Sequence, residues 1–379
     1  MPLPEGQANG FNVSDSKSSD SNPSDLKPSD FKPSDFNPSD ALLLPLEASL
    51  REQTRPFGVA LSGGADSAML AVVANAYAHK HGTELHFFHI HHGLLEQADA
   101  WVEQVQALAS LLDRPLHVIN VNVAVGEGKG IEAAARDARY AALTQAAQAA
   151  GVTRIGLAHH RDDQAETVLL RLLRGAGVSG LSAMKREITR DGIAFIRPWL
   201  DVDRAAILAA SDAFTTATGW QAVQDPTNSD PRYTRAAVRT ALTPVLNARW
   251  PGWQAIVARH AKQADEATEI LAELAHADLV LIADEEAAVG TASEEAFKPH
   301  RLDLKRWRDL SAGRQKNVLR YWLAMHGSAM PSEARLLNLQ RQLSQLHAMG
   351  HDRNLTIYHG VLRIQCIRGK ILVQKISPR

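Results

Sequence analysis

One short stretch, residues 57–67 (FGVALSGGADS), constrains the fold of this chain more than any other. An apolar run ends abruptly in two glycines, and an Asp-Ser pair then opens a helical pattern. This order predicts a buried parallel strand, a tight turn and the N-terminus of a helix. The free amides of such a turn, together with the positive end of the helix dipole, bind anions and above all phosphate. We therefore predict a phosphate-binding loop formed by Ser62, Gly63, Gly64, Ala65, Asp66 and Ser67.

The loop is not of the Walker A type, because Gly-x4-Gly-Lys-Ser/Thr is absent. No lysine is placed to reach a γ-phosphate, so phosphoryl transfer to a hydroxyl is a poor prediction. An ordinary strand, turn and helix without function would show the same local pattern. Motifs elsewhere in the chain are needed to distinguish a phosphate-binding loop from an ordinary strand, turn and helix.

Composition limits the classes of protein to consider. The 379 residues suffice for more than one domain, and the net charge of −1 means that any nucleic-acid site must be a local patch. The single cysteine, Cys366, excludes an intramolecular disulfide and a CxxC site. The chain has no run of about 18 apolar residues and no apolar signal core near its start. We expect a cytoplasmic protein without a membrane partner.

The first 41 residues differ from the rest. Ser, Asp and Pro recur there with a five-residue period, as in residues 24–38 (SDLKPSDFKPSDFNP), and apolar residues are too few for a core. We predict a disordered low-complexity tail over residues 1–41. A role of this tail in binding a partner stays open.

From residue 42 onwards strands alternate with helices. Apolar runs at residues 85–90, 116–121 and 154–158 predict three strands after the first, and residues 98–112 and 131–150 predict helices between them. This alternation predicts an α/β fold with a doubly wound parallel sheet. Ligands of such sheets bind at the carboxyl ends of the strands. The glycine turn, residues 89–93 and the pair His159-His160 all fall at those ends.

Five histidines at these strand ends invite a metal interpretation: His89, His91, His92, His159 and His160. The chain has no His-Glu-x-x-His motif, and adjacent histidines on a strand end point apart. A zinc site is therefore disfavoured. We predict instead that His92 and His159 line a nucleotide pocket.

Charged residues cluster in two places near the same strand ends. Asp163 and Glu166 match a capping-box pattern that would only start a helix at about residue 167, but they also suit Mg²⁺ or a cationic amine. Both interpretations can hold together. Arg136 and Arg139 share one helical face with Glu132, either as a solvated face or as a phosphate-binding pair.

Five motifs follow one another in a fixed order. They are residues 62–67 (SGGADS), residues 89–94 (HIHHGL), Glu132-x3-Arg136-x2-Arg139-Tyr140, residues 158–167 (AHHRDDQAET) and residues 172–181 (LLRGAGVSGL). Residues 197–200 (RPWL) and a signature between Asp225 and Arg239 continue the series. The set resembles that of the tRNA(Ile)-lysidine synthetase family, within the PP-loop or N-type ATP pyrophosphatases, and the match covers about residues 57–250.

The resemblance implies a reaction in two steps. ATP, with Mg²⁺, adenylates the C2 oxygen of the wobble cytidine in a tRNA(Ile) bearing a CAU anticodon, and pyrophosphate leaves. The ε-amine of free L-lysine then attacks C2 and expels AMP, which leaves lysidine in the tRNA. By motif, the catalytic residues would be Asp66, Arg139, Asp163 and Glu166, with Asp66 as the candidate Mg²⁺ ligand. The candidate residues for substrate binding are Arg136, Arg174, Asn228, Arg232, Tyr233, Arg235 and Arg239.

The charge pattern supports a polynucleotide substrate independently of the resemblance. Arg232, Arg235 and Arg239 lie at i, i+3 and i+7, and no Asp or Glu occurs between Asp230 and Asp265. This spacing predicts one basic helical stripe for phosphate contacts, although scattered solvated arginines are the alternative.

We expect three regions: the tail, a PP-loop catalytic domain at residues 42–250 and a tRNA-binding domain at residues 251–379. Helical patterns at residues 253–282 and 307–325 and from residue 332, then a β-hairpin and a final strand, predict a smaller, mostly helical α+β domain. A homodimer is a candidate assembly. The alternatives are another adenylating enzyme of the superfamily, such as a thiolating or an amidotransferase-type one, and a non-catalytic RNA-binding module.

Overall fold

The structure, a computed structural model, describes residues 36–51, 55–91, 98–121, 131–226, 230, 232–284, 297–328, 331–346 and 355–376. These residues fall into two units, Met1–Thr167 with Met184–Ala258 and Val168–Ala183 with Arg259–Arg379. Most of the predicted tail lies outside the described residues. Its last part does not, because the first helix, α1 (Asp40–Ser49), begins inside it. The ring of Phe36 also packs edge-to-face on Phe214, with ring centroids 5.6 Å apart.

A six-stranded sheet organises the first unit. Its strands are β1 (Phe57–Ala60), β2 (Leu85–His91), β3 (Leu116–Asn120), β4 (Arg154–Gly156), β5 (Glu187–Arg190) and β6 (Ile193–Ile196). They lie in the order β3-β2-β1-β4-β6-β5, and all neighbours are parallel except β5, which pairs antiparallel with β6. The predicted α/β fold with a parallel sheet is confirmed.

Three helices pack directly on strands of this sheet: α2 (Ala65–His81), α3 (Ala98–Leu111) and α4 (Ile131–Ala149). They are followed in the chain by α5 (Arg161–Leu173), the four-residue α6 (Val178–Leu181) and α7 (Arg204–Thr218). Helix α2 is buried almost all round because it packs against α1 and α7 as well as against β1 and β2. One apolar cluster contains residues of α1, α2, α3 and α7, and a second contains residues of α4, β4 and β6.

The strand order places the phosphate loop at a switch point. From β1 the chain runs outward through β2 and β3, and then returns to place β4 on the other side of β1. A crevice opens at the carboxyl ends of strands where the winding direction reverses, and ligands of open α/β sheets bind in it. The segments after β1 and after β4 therefore face the same crevice.

Two parts of the first unit differ from the sequence prediction. Helix α5 begins at Arg161, not at about residue 167, and so Asp163 lies in its first turn. The β5–β6 hairpin and α7 were not predicted, although the sequence carries signals for both. Asp191-Gly192 is a preferred pair for a hairpin turn, and α7 has Asp203 as its N-cap and Gly219 after its last residue.

Six further helices follow in the described residues, of which the first four are α8 (Thr234–Ala237), α9 (Thr243–Arg249), the long α10 (Trp253–Ile282) and, after a break, α11 (Leu304–Asp309). A π-helical turn, Val238–Leu242, joins α8 to α9. The helix predicted over residues 307–325 is split, because α11 ends before Ser311, the N-cap of α12 (Ala312–Met325). Helix α13 (Glu333–Gln345) begins after Ser332, whose hydroxyl accepts a hydrogen bond from the Arg335 amide.

The second unit contains an antiparallel sheet of four strands in the order β7-β10-β9-β8. The strands are β7 (Arg301–Asp303), β8 (Leu355–His359), β9 (Leu362–Ile367) and β10 (Lys370–Lys375). The predicted hairpin and final strand are thus present, with β7 added at one edge. Trp307, Trp322 and Leu343 are among the side chains that fill the core of this unit. Within the described ranges, no helix combines the length and the apolar character needed to cross a membrane.

Candidate active site

The phosphate loop is held in place by hydroxyl groups at its base. The Ser67 hydroxyl donates to the Gly64 carbonyl at 3.0 Å and accepts from the Ser62 amide at 3.1 Å. The Ser62 hydroxyl then donates to Ser67 Oγ, at 2.9 Å. These bonds close the turn between β1 and α2 without using the amides of the first turn of α2, which have no intrahelical acceptors.

The two glycines of the loop have different roles. Gly63 has a φ of +93°, a backbone conformation that residues with a side chain rarely adopt. A Cβ there would also lie 2.9 Å from Val223 Cγ2. A Cβ on Gly64 would have only Ser62 Oγ nearby, at 3.9 Å. The space in front of Gly64 is therefore open at a helix N-terminus, which fits the phosphates of ATP.

His89 supports the loop from the neighbouring strand. Its Nδ1–H donates to the Leu61 carbonyl at 2.8 Å, and the side chain is buried. Burial lowers the pKa of His89, and the nearby His91 lowers it further, whereas the bond to Leu61 opposes the shift. A neutral, hydrogen-bonded imidazole in this position is a structural group of the loop.

Asp66 lies opposite the segment after β4. Its carboxylate is 3.7 Å from His160 Nε2 and 3.6 Å from Arg204 Nε, and its buried Oδ1 has no hydrogen-bond partner. Burial works against protonation of His160, but the carboxylates of Asp66, Asp163 and Asp162 outweigh it and raise the pKa of His160. The crevice thus contains an imidazole whose protonated form is stabilised by neighbouring carboxylates.

Asp163 and Glu166 lie on one face of α5 and share one arginine. Arg239 donates through Nη2 to Asp163 Oδ1 at 2.9 Å and through Nε to Glu166 Oε1 at 2.7 Å. Asp163 Oδ2 accepts from the His160 amide at 3.1 Å, so that it caps the helix from the third position rather than from the N-cap. Glu166 Oε2 is buried and has no partner.

The environment separates the pKa values of these two acids. Burial favours the protonated form of Asp163, but His160, His159, the His160 amide and Arg239 together lower its pKa. Burial dominates at Glu166 and raises its pKa, although Arg239 opposes the shift. Two acids with pKa values moved in opposite directions suit one ionic and one proton-transferring role.

A group of arginines surrounds the end of β4. Burial lowers the pKa of Arg139, and the positive charges of Arg136, Arg235 and Arg197 lower it further. Burial also lowers the pKa of His159 to about 3; the charge of Asp163 opposes this shift, and Arg197, Arg139 and Arg235 reinforce it. His159 is therefore neutral, and its buried Nδ1 has no partner. This local excess of positive charge suits an anionic ligand.

The predicted residues do not all gather in the crevice. Arg136 is exposed, with its guanidinium 5.8 Å from the Tyr140 ring centroid, and Tyr233 is exposed at the N-cap of α8. Arg174 is exposed after the end of α5, in the second unit. His92 and Asn228 lie outside the described residues.

The predicted basic helical stripe is wrong. Arg232 precedes α8 and pairs with Asp230, while Arg235 donates to Thr167 Oγ1 at 3.0 Å. Arg239 lies in the π-helical turn and pairs with the two acids of α5. No exposed stripe forms, because Arg232 lies before the helix and the other two arginines bond to α5. π turns of the kind that carries Arg239 often mark functional sites.

Three residues of the site were not among the predicted ones: His160, Arg197 and Arg204. His160 lies between β4 and α5, immediately before the first residue of α5 and three residues before Asp163, which was a usable signal. Arg197 donates to the Tyr140 hydroxyl at 2.9 Å and to the Lys185 carbonyl at 2.8 Å. Arg204 begins α7, for which Asp203 before the helix and Gly219 after it were usable signals.

The donor set in the described part of the chain is not that of a preformed metal cage. No cluster of three or more His, Cys, Asp or Glu side chains in these residues is arranged to hold a metal ion. Mg²⁺ commonly needs only one or two carboxylates beside the phosphates of its substrate. Asp66 Oδ1, in the first turn after the phosphate loop, lies 3.6 Å from Arg204 Nε but accepts no hydrogen bond, and it fits that requirement.

Comparison with known proteins agrees with this geometry. Residues 41–246 match the family model of a PP-loop domain, and residues 302–371 match that of a TilS substrate binding domain. The tRNA(Ile)-lysidine synthase of Bordetella bronchiseptica (strain ATCC BAA-588 / NCTC 13252 / RB50) is 55% identical over 336 residues, which cover 88% of this chain and 94% of that protein. The tRNA(Ile)-lysidine synthase of Polaromonas naphthalenivorans (strain CJ2) is 38% identical, over 80% of this chain and 86% of that protein.

A solved structure shares the fold. The U34-tRNA thiolase NcsA from Methanococcus maripaludis aligns with a TM-score of 0.50 and 14% identity, over 59% of this chain and 76% of that one. At this identity the likeness concerns the fold alone. The PP-loop model spans more than half of the chain, and the relatives exceed 30% identity over most of it. The chain therefore belongs to the tRNA(Ile)-lysidine synthase family.

Proposed function

We propose that this protein is an ATP-dependent ligase that joins L-lysine to C2 of the wobble cytidine in tRNA(Ile) with a CAU anticodon. The observation that carries the proposal is the meeting of two different sites at one sheet edge. The phosphate loop lies after β1, and a buried acidic pair lies on α5, directly after β4. A phosphate site beside a site for a cationic amine suits adenylation followed by attack of an amine.

The first step needs groups that hold ATP and orient its α-phosphate. The first-turn amides of α2 and the open space at Gly64 would bind the phosphates. The C2 oxygen of the cytidine attacks the α-phosphorus, and pyrophosphate leaves. Arg139, next to Arg197 and Arg235, would stabilise the negative charge of the activated intermediate. We assign Mg²⁺ to Asp66, where it would neutralise charge on the departing pyrophosphate.

The second step needs a neutral amine and an acceptor for its proton. The ionised Asp163 would hold the ε-ammonium, and the unpartnered Oε2 of Glu166 offers it a further acceptor. Glu166, whose pKa is raised, would first take a proton from the ammonium, and the freed lone pair of the neutral nitrogen then attacks C2. The C2–O bond then breaks, and AMP leaves with its electron pair. Arg239 already forms ion pairs with both acids. Lysine therefore has to displace Arg239 or bind the two carboxylates together with it.

The remaining predictions follow from the proposed substrates. Arg136, Arg174, Asn228, Arg232, Tyr233 and Arg235 stay candidates for tRNA contacts. We expect the reaction to take place in the cytoplasm, and a homodimer stays a prediction. A thiolating activity is disfavoured, because the only cysteine, Cys366, is buried in β9 and burial raises the pKa of its thiol.

The proposal is tested by incubating the full chain with ATP, labelled lysine and a transcript of tRNA(Ile) with a CAU anticodon. We expect lysine to appear in the RNA with release of pyrophosphate and AMP. The matched control is the same transcript with uridine in place of the wobble cytidine, which should take up no lysine. Absence of lysine from the CAU transcript, or equal labelling of both RNAs, would contradict the proposal.

A further inference from the structure

A cavity of about 380 Å³ lies in the second unit, between the start of α11 and the turn that joins β9 to β10. Its lining carries four cations, Lys305, Arg308, Arg368 and Lys370, and one carboxylate, Asp303. The turn is fixed to the helix, because the Leu304 amide donates to the Gly369 carbonyl at 2.9 Å. The hydrogen bond holds the turn against the helix, and the four cations line the cavity between them.

The positive charge of this cavity is only partly neutralised. Lys370 Nζ contacts Asp303 Oδ2 at 3.1 Å and Asp284 Oδ1 at 3.0 Å, so these carboxylates balance one cation. Arg308 donates to the Leu343 carbonyl, which satisfies donors but leaves the charge. Lys305 and Arg368 are exposed and form no ion pair within the described ranges. Three cations therefore face the cavity without a carboxylate partner.

The backbone at Arg368 is strained. Arg368 has a φ of 48° and Gly369 a φ of 76°, and Ile367 pairs with Lys370 on either side of them. A two-residue hairpin turn with both central residues at positive φ prefers Asn-Gly or Asp-Gly. The β5–β6 hairpin of the same chain uses that preferred pair, Asp191 and Gly192. An arginine in the corresponding place is unfavourable for the turn, and such outliers point to a functional role.

We propose that this cavity binds a backbone phosphate of the RNA substrate, with Lys305, Arg308 and Arg368 as the phosphate-binding residues. The inference rests on the proposed function, because it takes the RNA from there. A phosphate is small enough for the cavity, and guanidinium groups bind it through paired hydrogen bonds. The contact positions the RNA and carries no base specificity. The left-handed backbone conformation at Arg368 is retained although it is unfavourable, and the long cationic side chain of this residue lines the cavity.

The test measures binding of a labelled CAU tRNA(Ile) transcript to the full chain at several salt concentrations. The variants are Lys305→Gln, Arg368→Asn and their combination, and the matched control is Arg341→Gln, which removes an exposed charge on α13 outside the cavity. Each cavity variant should lower the slope of log Kd against log salt by about 1, and the double variant should raise Kd about tenfold. Arg341→Gln should change neither value.

Arg368→Asn separates a functional from a structural role. Asn tolerates the left-handed conformation, so the Tm should rise by about 2 °C while RNA binding weakens. A fall in Tm together with weaker binding would show that Arg368 only supports the turn, and an unchanged salt slope in the folded double variant would overturn the inference. Failure of the proposed function is a different result: the unaltered chain would then transfer no lysine to the transcript.

Discussion

At the scale of single residues, the chemistry depends on the ion pairs between one arginine and two buried acids. Arg239 bonds to both Asp163 and Glu166, and both acids are almost fully buried. Removing one partner of such a group leaves a buried charge uncompensated, whereas a neutral isostere changes charge with little change of packing. Substitutions at this site should therefore keep the size of the side chain.

Glu166→Gln tests whether this acid serves the amine step. We expect the variant to release pyrophosphate at a near-normal rate with ATP and tRNA, and to transfer lysine at least about tenfold more slowly. Gln keeps the carbonyl oxygen that accepts from Arg239 but cannot take a proton. The measurement compares the two rates in one folded preparation. Parallel loss of both rates would instead favour a role of Glu166 in holding Mg²⁺.

Asp66→Asn tests the adenylation step. Its carboxylate follows the phosphate loop directly, so we expect release of pyrophosphate to fall by at least about tenfold. The control is Asp212→Asn, which removes an exposed carboxylate on α7. A folded Asp66→Asn protein with normal pyrophosphate release would leave Asp66 as a first-turn acid that only stabilises α2.

At the scale of elements, the strand before the loop depends on a close approach of two neighbours. Gly58 in β1 pairs with His86 in β2, and a Cβ on Gly58 would lie 2.4 Å from the Phe88 ring. Phe88 in turn stacks on His117 of β3, with ring centroids 4.9 Å apart. The rings thus cover the backbone of β1, and the position of the phosphate loop relative to β2 depends on this packing.

Gly58→Ala should destabilise the fold through this contact. We expect the free energy of unfolding to fall by about 1–3 kcal/mol, because a ring in a filled core cannot move away freely. Gly156→Ala in β4 is the control, since the nearest atom to its Cβ would be the flexible end of Leu70, at 3.3 Å, and the next atoms would lie at ordinary contact distance. Denaturant unfolding of both variants gives the comparison. Equal losses in the two variants would show that general overpacking, not the Phe88 contact, sets the effect.

At the scale of the whole molecule, the boundary of the N-terminal tail matters for stability. Residues 1–35 lie outside the described part of the chain, whereas Phe36 packs on Phe214 and Leu42 is fully buried on α1. The sequence-based boundary at residue 41 would cut through the first turn of α1.

Two truncations should therefore differ. Deletion of residues 1–35 should leave the Tm and the rate of lysine transfer unchanged, because the repeats there are too poor in apolar residues to build a core. Deletion of residues 1–41 should lower the Tm, because it removes the Phe36 ring and the start of α1. Thermal unfolding and the lysine-transfer assay would check both. Loss of transfer on removal of residues 1–35 alone would show that the tail acts on the substrate.

The sequence by itself determined the parallel sheet, the phosphate loop and most helices of this protein. Apolar residues that recur every 3.6 or every 2 positions, and glycines at the end of an apolar run, are local patterns that can be recognised without knowledge of the fold. Residues 57–67 are the strongest case: strand, turn and helix N-terminus all lie where the pattern puts them. The family motifs also indicated which residues take part in the reaction and in which order they occur along the chain. This too is information that the sequence contains.

Only the tertiary structure decided which charges meet. Arg239 reaches Asp163 and Glu166, 76 and 73 residues away in the chain, because the π-helical turn that carries it lies beside α5. Arg204 reaches Asp66 because α7 begins there, and no local pattern shows that these two residues meet. The pKa values of His159, Asp163 and Glu166 likewise depend on burial and on neighbours from other elements. Electrostatic energy depends on distance and on exclusion of water, and neither is a local property of the sequence.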